Sequence, residues 1–72
     1  MKREFNVIIE RDNEGFYVAL VPALPGCHTQ ARSLDKLHTR IQEAIELCLE
    51  AGGGDDENME FVGVQRVSVE VR

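Results

Sequence analysis

The stretch VPALPGCHTQA, residues 21–31, decides how this chain folds. Pro22 and Pro25 each lack a backbone N–H and fix φ, so no regular strand ladder can run through them. Gly26 relieves the tight turn, because glycine adopts positive φ without steric cost. Residues 27–31 can then resume as a short third strand. The prolines therefore predict a bend that separates two neighbouring strands.

The same stretch carries a thiol and an imidazole, which raises the question of thiol catalysis or metal binding. Neighbouring side chains in a strand point to opposite faces, so Cys27 and His28 are predicted to diverge. A base must reach the sulfur at about 2.6 to 3.2 Å, which adjacent strand residues do not do, and His38 lies on the following helix. Cys48 completes no paired spacing typical of zinc. We expect no catalytic residue, metal or cofactor here.

Two strands are predicted before the bend. Residues 3–10, REFNVIIE, alternate as a half-buried strand does, although Ile8 breaks the pattern and hints at cover on both faces. The turn formers DNEG, residues 12–15, end in Gly15, which allows the chain to reverse. Residues 16–21, FYVALV, are apolar throughout and typical of a central strand packed on both faces.

One helix is predicted after the third strand, over residues 34 to about 51. Ser33 is a suitable N-cap and Asp35 favours the positive end of the helix dipole. The glycines at 52–54 end the helix, and residues 55–58 continue as an acidic loop. Apolar side chains recur at three- and four-residue spacing and predict one buried stripe: Leu34, Leu37, Ile41, Ala44, Ile45 and Cys48.

A last strand is predicted near the C-terminus, where residues 67–71, VSVEV, alternate three valines with Ser68 and Glu70. A crossover helix lets this strand lie parallel to an earlier one, and we place it beside the first strand. The predicted fold is α+β, in the order β-β-β-α-β, with one helix on one face and one domain over residues 1–72. The other face must stay polar, dimerise or bind another protein.

Composition narrows the possible functions. A chain of 72 residues buries only about 60% of the surface that it exposes when unfolded, so we expect a homo-oligomer or a stabilising partner. Thirteen acids against eight bases give a net charge of −5, the wrong sign for direct nucleic-acid binding and suited to a basic partner. No apolar run has the roughly 20 residues of a membrane helix, and the N-terminus lacks a signal-peptide pattern. We expect a cytoplasmic protein with reduced cysteines.

A metal-dependent nuclease is an alternative function. Glu10, Asp12, Glu43 and Glu46 could surround magnesium, but a two-metal site needs carboxylates that converge on ions about 4 Å apart. Asp12 falls in a predicted turn and Glu43 on the polar helix face, which favours solvated surface acids. The glycines at 52–54 follow a helix, whereas a phosphate-binding loop precedes one.

Four segments together resemble the HicB antitoxin family: residues 5–10 (FNVIIE), 12–19 (DNEGFYVA), 21–30 (VPALPGCHTQ) and 43–47 (EAIEL). They cover nearly the whole chain in order, and the V-P-x-L-P-G-C-x-T-Q segment is the most specific. The resemblance implies a partial ribonuclease-H-like fold that has lost the metal-binding acids of the enzyme. It also implies a small basic partner, the HicA toxin, which is a ribonuclease that cuts messenger RNA and is neutralised when its active site is covered.

Longer members of that family append a DNA-binding domain, and this short form is expected not to repress its promoter alone.

For the partner interface we predict polar positions of the bend and the neighbouring strand: Tyr17, His28, Thr29 and Gln30. Gly15, Pro25 and Gly26 are predicted to shape turns without touching the partner. The alternatives are an orphan oligomeric adaptor or ligand-binding module of the same fold, and a residual metal-dependent nuclease.

Overall fold

The computed structural model describes residues 2–52 and 60–72. It contains strands β1 (Ile8–Arg11), β2 (Tyr17–Leu20) and β3 (His28–Ala31), followed by helix α1 (Leu34–Glu50). The strands form one antiparallel sheet in the order β1-β2-β3. The predicted α+β class, the three antiparallel strands and the single helix are confirmed. Each strand has four residues and is shorter than its sequence pattern.

The β1–β2 hairpin is closed by the side chain of Asp12. Its Oδ1 atom accepts hydrogen bonds from the backbone N–H groups of Glu14 and Phe16, both at 2.9 Å. The backbone N–H of Asp12 also donates to the carbonyl of Phe16 at 2.9 Å. Gly15 has φ +90°, where an L side chain would be strained. The predicted reversal at Gly15 is confirmed.

Helix α1 starts and ends at the predicted signals. The Ser33 side chain accepts from the backbone N–H of Lys36 at 3.2 Å, and Asp35 lies in the first turn. The chain leaves the helix through Gly52, which has φ +81°. The glycines predicted to end the helix also include residues 53 and 54, and an acidic loop is predicted at 55–58. These residues lie outside the described part of the chain.

The core lies between α1 and the two strands that it contacts, β2 and β3. Of the predicted helical stripe, Leu37 and Ile41 are buried, and Ala44, Ile45 and Cys48 are half-buried against them. Leu34 differs from the prediction, because its side chain is 53% exposed. The stripe thus becomes buried only from its second turn. The buried residues of the core are Ala19, Val21, Leu24, Cys27, Ala31, Leu37 and Ile41.

The predicted fourth strand is absent from the described part of the chain. Residues 60–72 have no strand pairing, and each of them is exposed. The valines at 62, 64, 67, 69 and 71 are all among the exposed hydrophobic side chains. The strand at 67–71, its parallel placement beside β1 and the ribonuclease-H-like topology that depends on it are therefore not confirmed.

Candidate partner-binding surface

The proline bend, residues 21–27, consists of two consecutive turns. The N–H of Leu24 donates to the carbonyl of Val21 at 3.1 Å, and the N–H of Cys27 donates to the carbonyl of Leu24 at 2.9 Å. Pro22 and Pro25 each occupy the second position of a turn, where their fixed φ is favourable. The N–H of Val21 also donates to the carbonyl of Cys27 at 3.0 Å and joins the two ends.

Every third residue of the bend enters the core. Val21, Leu24 and Cys27 are buried, whereas both prolines and Gly26 are exposed. Gly26 has φ +82° at the third position of the second turn, as a type II turn requires. The bend is therefore a structural element that anchors the sheet to the helix, and its thiol points inward.

The sheet has one covered face and one open face. Ala19 and Ala31 mark the covered face, because they are buried against α1. Side chains alternate along each strand, and directly opposite residues share a face. The register therefore assigns the open face to two rows of three residues: Ile8, Leu20 and His28 in one row, and Glu10, Val18 and Gln30 in the other.

The open face has an apolar centre and a polar rim. Ile8 and Val18 are half-buried and Leu20 is 40% exposed, while Glu10, His28 and Gln30 are exposed around them. The next row continues the surface, because the Arg32 guanidinium stacks 4.3 Å from the ring centroid of Phe16. An apolar centre with a polar rim is the usual anatomy of a protein–protein interface.

The four predicted contact residues do not share one face. His28 and Gln30 lie on the open face, but Tyr17 is opposite the buried Ala31, and Thr29 is opposite the buried Ala19. Tyr17 packs against the core and its ring lies 5.6 Å from the guanidinium carbon of Arg11. The structure thus brings two of the predicted residues together and separates them from the other two.

The residues predicted for the interface did not include the apolar centre of the open face, which consists of Ile8, Val18 and Leu20. The sequence does indicate this centre, because Ile8 breaks an alternating strand and the residues of the next strand are apolar throughout. Both patterns indicate cover on two faces, whereas one helix covers only one. Ile8 also lines a cavity with Pro22 and Phe61, so this face is partly covered within the chain, and Leu20 is the most exposed of its three apolar side chains.

The two cysteines interact with each other. Burial, a hydrogen bond to the Cys48 side chain and the charge of Cys48 raise the pKa of Cys27 to about 11. The nucleophile in thiol chemistry is the thiolate, so Cys27 is poorly suited to attack a substrate near neutral pH. Both cysteines are thiols, and they belong to the packing between the bend and α1.

The four candidate magnesium ligands lie on separate parts of the fold. Glu10 is on the open face, the carboxylate of Asp12 caps the hairpin, and Glu43 and Glu46 are exposed on α1. Within residues 2–52 and 60–72, no three His, Cys, Asp or Glu side chains are grouped so that they could hold a metal ion.

The sheet of this small α+β fold is covered by α1 on one face, and its other face has an apolar centre with a polar rim. Comparison with known proteins specifies the family: "HicB_like antitoxin of bacterial toxin-antitoxin system" matches residues 5–69. The chain belongs to this HicB-like antitoxin family, and membership suggests a non-enzymatic role in a toxin-antitoxin system.

Relatives named UPF0150 protein share most of the chain. One from Archaeoglobus fulgidus is 54% identical, with 92% of this chain and 94% of the relative aligned. One from Synechocystis is 46% identical over 94% and 97% of the two chains. One from Thermotoga maritima is 38% identical over 97% and 95% of the two chains.

None of the helices in the described residues has the length and apolar character needed to span a bilayer.

Proposed function

We propose that this chain is an antitoxin that neutralises a small basic HicA-type ribonuclease by covering its active site in the cytoplasm. The observation that carries the proposal is the family match over residues 5–69. A toxin partner follows in general from this family. Its HicA-type identity is what the resemblance to the HicB family implies, and the net charge of −5 suits such a basic partner.

The open face is the surface that we assign to the toxin. It combines the apolar side chains of Ile8, Val18 and Leu20 with the polar groups of His28 and Gln30. Buried apolar anchors supply most of the affinity of an interface, and the polar rim supplies specificity. The net charge of −5 adds attraction toward a basic ribonuclease. Tyr17 and Thr29 support this face from behind.

Titration of the toxin tests the proposal. The toxin to use is the short basic protein encoded next to this chain, and the measurement is its cleavage of messenger RNA as purified antitoxin is added. We expect cleavage to stop at a stoichiometric ratio. Continued cleavage at saturating antitoxin, or the lack of such a neighbouring gene, would favour an orphan adaptor instead.

A pair of leucine variants locates the interface. Leu20→Lys places a charge in the centre of the open face and should weaken inhibition at least tenfold. Leu47→Lys is the matched control, because Leu47 is 64% exposed on α1 and the substitution changes the net charge equally. Equal inhibition by both variants would reject the open face as the contact surface, even if the chain is an antitoxin.

A further inference from the structure

The outer edge of β1 presents backbone groups that point away from the sheet. The N–H of Asp12 donates to the carbonyl of Phe16, which makes these residues a hydrogen-bonded pair. Hydrogen-bonded and non-hydrogen-bonded pairs alternate along an antiparallel ladder. Arg11, opposite Tyr17, and Ile9 are therefore non-hydrogen-bonded positions, and their N–H and C=O groups face outward. In the described residues, no strand pairs with this edge.

The opposite edge of the sheet, on β3, is partly covered by α1. Gln30 of β3 lies at a position whose backbone groups also face outward, but its carbonyl accepts a hydrogen bond from Arg40 Nη1 of α1 at 2.9 Å. The helix thus covers part of the β3 edge. An exposed strand edge is a template for pairing with another chain, and β1 is the edge that α1 leaves accessible.

The C-terminal segment, residues 64–71, has the pattern of a strand without a partner. Its valines at 67, 69 and 71 are 69%, 75% and 92% exposed. The radius of gyration is 14.0 Å, whereas a compact chain of this length has about 11 Å. Both the segment and the β1 edge are present in the single chain, yet they are not paired there. Each of the two elements therefore offers unpaired backbone groups to another copy.

The covered face is exposed beside β1. Ile9 is opposite Ala19 and lies on the covered face, but it is 53% exposed because α1 contacts β2 and β3. A strand added along β1 would set Val67, Val69 and Val71 beside Ile9. Ser68 would then lie on the open side, as the alternation of a strand requires.

Charge favours a second copy of this chain over a basic partner for this contact. The C-terminal segment carries one base, Arg66, and one acid, Glu70, and β1 carries Glu10 and Arg11. The net charge of −5 therefore lies elsewhere in the chain, so these two elements can approach without strong repulsion between acidic copies. A basic toxin would instead be attracted to the acidic regions.

We propose that residues 64–71 of one copy add as a fourth strand to the outer edge of β1 in a second copy. Two such exchanges, related by a two-fold axis, pair the β1 edge of each copy with the C-terminal segment of the other copy. The interface uses backbone hydrogen bonds to the outward groups of Ile9 and Arg11 and packs three valines against Ile9. This proposal does not rest on toxin binding.

Sedimentation equilibrium of the purified full chain tests the exchange. We expect a mass of at least twice the 8.1 kDa of one chain. Val69→Asn should weaken association at least tenfold, while the neighbouring Ser68→Asn, which faces the other side, should leave it within about twofold. Both side chains are exposed in the single chain, so neither change disturbs the core. A monomeric wild type, or equal effects of the two variants, would overturn the proposal.

Disulfide trapping separates exchange between copies from folding back within one chain. Ile9→Cys is placed in one chain, and Val67→Cys, Val69→Cys or Val71→Cys in another, differently tagged chain. Opposite residues in a sheet have Cβ atoms about 4.5–5.5 Å apart, so one of the three mixtures should form a linked heterodimer under mild oxidation. The proposal fails if the bond forms only when both cysteines are in the same chain, or only when the toxin is present.

Discussion

At the scale of single residues, the Cys27 thiol gives the chain a specific pH dependence. Its pKa is raised from 9.0 to about 11, first by burial and then by the neighbouring Cys48. When the chain unfolds, the thiol returns to its ordinary pKa. Between pH 9 and 11 the thiol therefore holds its proton more strongly in the folded state than in the unfolded state, and its contribution to stability falls as pH rises through this window.

We expect this thiol to contribute a loss of up to about 2–3 kcal/mol in the free energy of unfolding between pH 8.5 and 11. Urea unfolding at each pH measures it. Cys27→Ala is the reference, because it removes the titrating group at the cost of a small cavity that does not depend on pH. Parallel pH profiles for wild type and Cys27→Ala would contradict the assignment.

At the scale of elements, the start of α1 depends on one side chain. Ser33 Oγ accepts from the N–H of Lys36 and satisfies a donor that has no partner within the helix. Ser33→Ala should lower the free energy of unfolding by about 0.5–2 kcal/mol. Ser33→Asp retains the acceptor beside the positive end of the helix dipole and should stay close to wild type. An equal loss in both variants would show that the hydroxyl has another role.

The elements that could be predicted from the sequence are those set by local chemistry. Gly15, Gly26 and Ser33 act through their own backbone or the next few residues, so their signals are readable without a structure. The faces of the candidate site could not be read in this way. Tyr17 and His28 lie on opposite faces because of the strand register, and register depends on the geometry of both connections.

The C-terminal segment shows a second limit of local patterns. Alternating valines at 67–71 predict the conformation of a strand, but they do not say which strand pairs with it. A strand needs a ladder partner and a face to bury, and α1 supplies cover for β2 and β3. The pattern is therefore compatible with a strand that forms only when a second copy is present.

At the scale of the whole molecule, the net charge of −5 should act in opposite directions on the two proposed interfaces. Two acidic copies repel each other outside their neutral contact elements, whereas an acidic antitoxin attracts a basic toxin. Salt screens both effects, since the Debye length falls from about 10 Å at 0.1 M to about 3 Å at 1 M.

Raising sodium chloride from 0.1 to 1 M should therefore strengthen self-association and slow association with the toxin. We expect the rate constant for toxin binding to fall about tenfold or more, because steering by charge acts mainly on the on-rate. Sedimentation equilibrium and stopped-flow binding at the same salt concentrations measure the two effects.

The Leu20→Lys variant should change toxin binding at every salt concentration. It should leave the self-association of the chain unaltered, because Leu20 lies on the open face and not at the β1 edge. If both interfaces respond to salt with the same sign, charge does not distinguish the two partners, and the assignment of separate surfaces would have to be revised.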